Sequence, residues 1–212
     1  MDDIVRQALA KWPNVPACYG WLLLDRRGNW RMRDEVVQRD RGLGTPIRHA
    51  ALSAFIVRNY DVDANGQWYF QNGPQRVYVE LEYAPWVVRL LEGSDGKLAL
   101  TDQTGADWDP DGCWLDDQGA IVFSGHAAGD RRERVGVLHD HDLDLFADRL
   151  EDRETMPVRA ANLPNMPRDD GQQHFMWQDG TSFPVQSIRA EELGQRFGFV
   201  ASPAQRVAGL PP

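Results

Sequence analysis

Two acidic stretches and one histidine-containing stretch carry the residue types that could bind a metal ion. The first, DVDANGQWYFQNG at residues 61–73, places Asp61, Asp63 and Asn65 at alternate positions before a glycine. An EF-type calcium loop uses oxygen ligands at positions 1, 3 and 5, glycine at position 6 and a bidentate carboxylate at position 12. Position 12 here is Asn72, which offers one carbonyl oxygen. The pattern therefore matches the first half of a calcium loop and lacks its final ligand.

A second stretch, DWDPDGCW, repeats the pattern with Asp107, Asp109 and Asp111 before a glycine. Its position 12 is Gln118, and a proline lies inside the stretch. Both stretches also fit a simpler interpretation, because Asp or Asn followed by Gly recurs between the apolar runs of this chain and is typical of tight turns. We therefore expect no cofactor, and calcium binding by either loop is the alternative hypothesis.

The third stretch, LHDHDLD, offers His139 and His141, which would share one face of a strand and suit zinc. Asp140 and Asp142 are expected to cap the helix that follows. No third ligand of matching spacing is visible in the sequence. A metal-dependent, hydrolase-like enzyme that uses this region is thus an alternative function, and we assign no catalytic residue.

Charge and composition exclude several classes of function. The formal net charge is -9, and the basic residues are scattered among acids, which argues against a nucleic-acid-binding surface. No apolar run approaches a membrane span, and Asp2 and Asp3 stand where a secretion signal would be positive, so we expect a cytoplasmic protein. Cys18 and Cys113 form no CxxC pair and are expected to be reduced, packed thiols.

The elements that must position these residues predict an α+β fold, built mainly from antiparallel hairpins with a few short helices. Thr45 before Pro46 is typical of a capped helix start and predicts a helix over 46–60. The stretch QRVYVELEY alternates, which predicts a half-buried strand whose second face, including Glu80, is solvated.

We expect three regions along the chain. Residues 1–92 form an N-terminal α+β part in which the 46–60 helix lies on a sheet. Residues 93–152 form a smaller, β-rich second part. From residue 153 to residue 212 the composition is charged and proline-spaced, which predicts an extended connection, one hairpin, a short helix and a frayed tail.

The order GNWRMR, GTPIRHAALSAFIV, DANGQWYFQNGPQRVYVELEYAPWVV resembles a bacterial family known as domain of unknown function 1285. The matching residues are Gly28, Trp30, Gly44, Pro46, Ile47, Asp63, Gly66, Trp68, Val77, Val79, Glu82, Ala84 and Pro85. In that family the first tryptophan strand runs almost directly into the G-x-P-I start, whereas DEVVQRDRGL intervenes here, which also fits a sister family. The resemblance implies a two-part α+β fold in a bacterial cytoplasm and no assigned activity.

Taken together, these patterns favour a non-catalytic binding or regulatory protein whose ligand is a small molecule or another protein. We expect no nucleic acid and no membrane among its partners. A homodimer is plausible, because hairpin-built sheets have exposed edges that can pair with another chain.

Overall fold

A computed structural model describes residues 1–127, 129–130, 132–152, 173–178 and 180–209. It confirms the α+β class, with sheets that are mainly antiparallel and with short helices. The chain forms two compact units, one of Met1–Pro85 with Glu191–Pro212 and the other of Trp86–Ala190. Among the described helices, none is long and apolar enough to cross a membrane.

The first unit is organised around a six-stranded sheet in the described part of the chain. Its strands are β1 (Cys18–Leu24), β2 (Trp30–Met32), β3 (Thr45–Pro46), β4 (Tyr60–Val62), β5 (Trp68–Asn72) and β6 (Gln75–Leu81). Their order is β3-β2-β1-β6-β5-β4. Strands β1 and β6 are parallel, and the other neighbours are antiparallel. The helices of this part are α1 (Asp3–Lys11), α2 (Glu35–Arg39) and α3 (Ala50–Arg58).

The predicted helix over 46–60 is wrong at its start, because the structure begins α3 at Ala50. The threonine and proline expected to start the helix form β3 and pair with β2. His49 takes the capping position, and its Nδ1 accepts the Leu52 amide at 3.2 Å. Local capping rules assigned Thr45 and Pro46 to the helix, but their backbone pairs with β2 instead.

The core of the first unit lies on the face of the sheet that α3 covers. The rings of Phe55 on α3 and Phe70 on β5 meet edge to face, with centroids 5.4 Å apart. The buried apolar residues of the helices and central strands include Val5, Leu22, Leu24, Trp30, Ile56, Phe70, Val79 and Leu81. Val79 and Leu81 of β6 point to this face, but Tyr78 and Glu80 on the other face are buried as well, so the prediction of a half-buried strand is wrong for this part of β6.

The C-terminal segment returns to this sheet through α5 (Leu193–Phe197) and α6 (Pro203–Val207). Glu80 on β6 is buried, and its carboxylate accepts the Ser202 hydroxyl at 2.5 Å and the Ala204 amide at 3.0 Å. The prediction of a solvated Glu80 is therefore wrong, and the prediction of a frayed tail is wrong for the helix at Pro203–Val207. A buried carboxylate needs hydrogen-bond donors, and the start of α6 supplies them.

The second unit contains eight strands among the described residues. They are β7 (Trp86–Glu92), β8 (Leu98–Asp102), β9 (Asp107–Asp116), β10 (Ile121–Ala127), β11 (Arg134–Leu138), β12 (Leu150–Asp152), β13 (Gln173–Met176) and β14 (Ser182–Ile188). Their order is β10-β11-β7-β8-β9-β14-β13-β12, and β9 also pairs with β10. The pairs β7–β11 and β9–β14 are parallel. Helix α4 (Leu143–Ala147) follows a 3-10 turn at Asp140–Asp142.

The strands of the second unit enclose an aromatic core. The ring of Phe175 on β13 stacks on Phe146 of α4 at 4.8 Å and meets Phe123 of β10 at 5.3 Å. Other fully buried apolar residues of this unit are Val88, Leu90, Leu100, Trp108, Cys113 and Val122. Strand β13 therefore completes a core that begins far earlier in the sequence.

The boundaries of the two units differ from those expected at residues 92 and 152. Strand β7 lies in the second unit, because it pairs with β8 and β11. The hairpin of β13 and β14 also belongs there, since β14 pairs with β9. The expected extended connection at 153–172 lies outside the described residues.

Candidate functional site

Four hairpin corners in the described part of the chain share one turn with the pattern Asp-x-x-Gly. In each, one carboxylate oxygen of the aspartate accepts the amides two and four residues later at 2.6 to 3.2 Å. Each glycine has φ between 76° and 83°, which suits glycine best. The corners are Asp25–Gly28, Asp63–Gly66, Asp102–Gly105 and Asp116–Gly119. The same contacts recur at corners with no resemblance to a calcium loop.

Asp63, a ligand in the calcium hypothesis, is one of these turn aspartates. Its Oδ1 accepts the amides of Asn65 at 2.9 Å and Gln67 at 3.0 Å, and its Oδ2 accepts the Tyr78 hydroxyl at 3.0 Å. Burial works to raise the pKa of Asp63, but these hydrogen bonds lower it overall. Asp61 accepts the amide of the next residue at 2.9 Å. The segment is a turn between β4 and β5 in which both carboxylates have protein partners, and calcium binding there stays a prediction.

The second acidic stretch lies in strand β9 instead of a loop. Asp107, Asp109 and Asp111 alternate with buried or partly buried neighbours, and all three are exposed. Asp111 accepts the hydroxyl of Ser124 on β10, and its Oδ2 lies 3.3 Å from His126 Nδ1. In an extended strand, side chains two residues apart are about 6.6 Å apart along the chain. The stretch therefore lacks the sharp bend of an EF loop, although its metal binding stays a prediction.

The structure brings the two predicted histidines together with an aspartate. His139 ends the extended chain after β11, and its Nδ1 accepts the His141 amide at 3.1 Å. The rings of His139 and His141 have centroids 4.7 Å apart, and one ligand atom from each of His139, Asp140 and His141 lies within 4.8 Å of the others. Burial and the nearby charge of Arg89 lower the pKa of His139.

Asp142, expected to cap α4, makes different contacts. It gives no side-chain cap to that helix. Its buried carboxylate instead accepts Nε and Nη2 of Arg89 at 2.6 and 2.9 Å and the Leu90 amide at 3.0 Å. This bidentate ion pair ties the 3-10 turn to β7. The Asp142 carboxylate can either cap α4 or bind Arg89. It binds Arg89 and the Leu90 amide, because this arrangement satisfies three donors.

A second group of polar and aromatic side chains lies on the first unit, on the sheet face opposite α3. We call it the tyrosine–arginine face, and it consists of Tyr19 on β1, Tyr69 on β5, and Arg76 and Tyr78 on β6. The rings of Tyr19 and Tyr78 stack at 4.6 Å with an interplanar angle of 8°. The guanidinium of Arg76 lies 4.0 Å from the ring centroid of Tyr69. Tyr69 and Tyr78 are buried, whereas Tyr19 and Arg76 are partly exposed.

Arg76 stays strongly cationic on this face. Burial works to lower its pKa, but the Tyr78 hydroxyl and the nearby Tyr69 and Asp63 raise the pKa overall. Its Nη1 lies 3.4 Å from the Tyr78 oxygen, and it forms no ion pair with a carboxylate among the described residues. An arginine in this state is suited to bind an anion, because its planar group offers several donors in one plane.

Two buried glutamines flank Tyr69 on the same side of the chain. Gln67 and Gln71 lie two residues to either side of Tyr69, with exposed fractions of 8% and 0%. Their amide nitrogens donate to Asp63 at 3.3 Å and to the Gly73 carbonyl at 3.0 Å. Their side-chain oxygens accept no hydrogen bond from the described residues. Buried acceptors of this kind normally have a donor partner, so this side of the chain is rich in polar groups able to receive one.

Sequence reasoning did not single out the tyrosine–arginine face as a site. The signal was present in the alternation of Gln67, Tyr69 and Gln71, and of Arg76, Tyr78 and Glu80. Period-two alternation shows which side chains share a face, but it cannot show that a neighbouring strand brings Tyr19 onto the same face.

Comparisons with known proteins give a family and no activity. The model of the family DUF2944, described as "Protein of unknown function (DUF2946)", matches residues 1–204. None of the curated proteins matches the chain.

Two solved structures of DUF1285 family proteins are similar. One, from Silicibacter pomeroyi, has 18% identity and a TM-score of 0.49, with 91% of this chain and 98% of that chain covered. The other, from Shewanella baltica, has 15% identity and a TM-score of 0.40, with 61% and 91% covered. The match over residues 1–204 confirms the prediction of an uncharacterised family without assigned activity.

Proposed function

We propose that the chain, which belongs to the DUF2944 family of proteins of unknown function, is a non-catalytic binding protein for a small anionic molecule with an aromatic ring. The tyrosine–arginine face is the binding site in this proposal. The anionic group of the ligand, a phosphate or a carboxylate, pairs with Arg76. The ring of the ligand lies beside Tyr19, the partly exposed tyrosine of the face.

One observation carries this proposal: the guanidinium of Arg76 is held over a tyrosine ring and has no carboxylate partner among the described residues. Two other arginines of the first unit that are not fully exposed do have such partners. Arg31 lies 2.6 Å from Asp25, and Arg33 lies 4.0 Å from Glu80. Asp63 acts on Arg76 electrostatically without forming an ion pair. A guanidinium already placed over a ring loses less rotamer freedom when it binds an anion.

The negative overall charge of the chain makes a cation without an ion-pair partner stronger evidence for anion binding. The chain carries a formal net charge of -9, so its general field repels anions. Binding of an anionic molecule therefore requires a local donor, and Arg76 supplies it.

Thermal unfolding in the presence of simple probes tests the proposal. Phenyl phosphate and benzoate carry both the anion and the ring, whereas cyclohexyl phosphate lacks the aromatic ring. A ligand that binds the folded state alone stabilises it by about 1.4 kcal/mol at ten times its Kd, which raises the unfolding midpoint. We expect the midpoint to rise with phenyl phosphate or benzoate, and to rise less with cyclohexyl phosphate.

Arg76→Gln should abolish that rise, because it removes the charge and keeps much of the stem. Arg26→Gln is the matched control, since Arg26 also lies over a tyrosine, 4.4 Å from the ring centroid of Tyr83, in the same unit. The control should respond like the unmodified chain. An equal rise for both variants, or no rise of the unmodified chain with any probe, would contradict the proposal.

A further inference from the structure

We propose that His139, Asp140 and His141 form a binding site for a first-row transition-metal ion of the zinc type. The site lies in the second unit, so it is independent of the anion site on the first unit. The two histidines do not share a strand face as predicted, because His139 ends the extended chain and His141 lies in the 3-10 turn Asp140–Asp142. The third ligand is Asp140, the residue between them, which local rules assigned to helix capping.

The ligand atoms of these three residues converge. One nitrogen from each imidazole and a carboxylate oxygen of Asp140 lie within 4.8 Å of one another. One pair, His139 Nδ1 and Asp140 Oδ1, is 3.0 Å apart. Zinc bonds nitrogen and oxygen at about 2.0 to 2.2 Å, so two atoms on the same ion are separated by about 3 Å. The separation of this pair already matches that requirement. Zinc on His139 Nδ1 would take the lone pair that accepts the His141 amide at 3.1 Å, so binding replaces that hydrogen bond.

The backbone around the cluster is held at both ends by contacts outside the three side chains, and within the turn the His141 amide donates to His139 Nδ1 at 3.1 Å. The His139 amide donates to the Val88 carbonyl at 2.9 Å, which continues the pairing of β11 with β7. The 3-10 turn that follows is fixed at its other end by Asp142, which binds the guanidinium of Arg89 and the amide of Leu90. The three consecutive residues are thus anchored on both sides, which lowers the cost of ordering them around an ion.

The donor set selects the class of metal. Two imidazole nitrogens and one carboxylate oxygen suit zinc, cobalt, nickel or copper, whereas calcium prefers six to eight oxygen ligands. Asp140 and His141 are exposed, so water can complete the coordination. The positive charge of Arg89 nearby is offset by its bidentate pair with Asp142. The site therefore resembles an open, three-ligand centre more than a closed structural one.

Zinc titration of the tag-free, chelator-stripped chain tests this site by isothermal calorimetry. We expect one zinc ion to bind per chain and calcium to give no heat under the same conditions. His141→Ala and Asp140→Asn should each weaken zinc binding about tenfold or more, because each removes one of three ligands. Both residues are exposed, so these changes leave the core intact, and circular dichroism before titration verifies the fold.

His126→Ala is the matched control. His126 is a partly exposed histidine of the same unit, and its Nδ1 lies 3.3 Å from one carboxylate oxygen of Asp111, but it belongs to no group of three converging ligands among the described residues. The control should bind zinc like the unmodified chain. The proposal would be overturned by an absence of zinc binding, by unchanged affinity in both ligand variants, or by an equal loss in the control.

Discussion

The two cysteines differ in their surroundings although both are free thiols. Cys113 on β9 has an exposed fraction of 0%, and burial raises its pKa far above the ordinary value. Cys18 at the start of β1 is partly exposed, and burial raises its pKa less, opposed by a hydrogen bond from the backbone of Tyr19. Thiolate is the reactive form of cysteine, so the burial of Cys113 and its raised pKa both make this thiol react more slowly than Cys18.

We expect a thiol reagent such as Ellman's reagent to modify one cysteine per folded chain and two after denaturation. The rate at Cys18 should rise with pH through the alkaline range, because a raised pKa leaves a small thiolate fraction at neutral pH. Cys18→Ser should abolish the reaction of the folded chain. Rapid modification of two thiols in the folded state would show that the β9 region opens easily.

Among the elements, the Asp-x-x-Gly turns set the register of several hairpins. The glycines at these corners share a positive φ but differ in what lies around them. A Cβ on Gly119 would meet no atom within 4 Å, whereas a Cβ on Gly66 would lie 2.2 Å from the carbonyl oxygen of Gly198. Only the second corner is therefore pressed against another segment, which comes from the C-terminal part of the chain.

Gly119→Ala and Gly66→Ala should separate conformational cost from steric cost. We expect Gly119→Ala to destabilise the chain by about 1 kcal/mol, the cost of a side chain at positive φ. Gly66→Ala should cost roughly 2 to 4 kcal/mol, because backbone must also move. Urea unfolding measures the loss in the free energy of unfolding for each variant. Equal losses would mean that the backbone at Gly198 moves aside at no cost.

On the scale of the whole molecule, residues distant in sequence complete the first unit. The C-terminal segment buries Leu193 and Phe199, with exposed fractions of 1% and 7%. Its backbone also joins the sheet, since the Leu81 amide donates to the Ala201 carbonyl at 2.8 Å and Val200 pairs with Gln67. The final residues of the described chain therefore act as part of the N-terminal unit.

Removal of residues 191–212 should lower the stability of the first unit markedly. Two buried apolar side chains would be lost, at about 1.5 to 3 kcal/mol each, and Glu80 would lose its hydrogen bonds from Ser202 and Ala204. Thermal unfolding followed by circular dichroism should show a lower midpoint for chain 1–190. The milder Glu80→Gln should lower the midpoint by less. An unchanged midpoint on truncation would mean that the segment contributes no packing energy.

The sequence by itself determined the local elements of this protein. Strand β6 follows from its period-two alternation, and the Asp-x-x-Gly corners follow from the need for glycine at positive φ, because both depend on neighbours in the chain. Tertiary structure decided the rest. Strand β3 formed where a helix start was predicted, and Asp142 bound Arg89 instead of capping a helix. The C-terminal segment packed on the sheet and donated hydrogen bonds to Glu80. The tertiary structure also placed Tyr19 beside Tyr78 and turned Asp140 toward two histidines. Each outcome depends on partners that are distant in sequence or on the path of the folded backbone, and hydrogen-bonding groups take the partner that satisfies the most donors once the chain is folded.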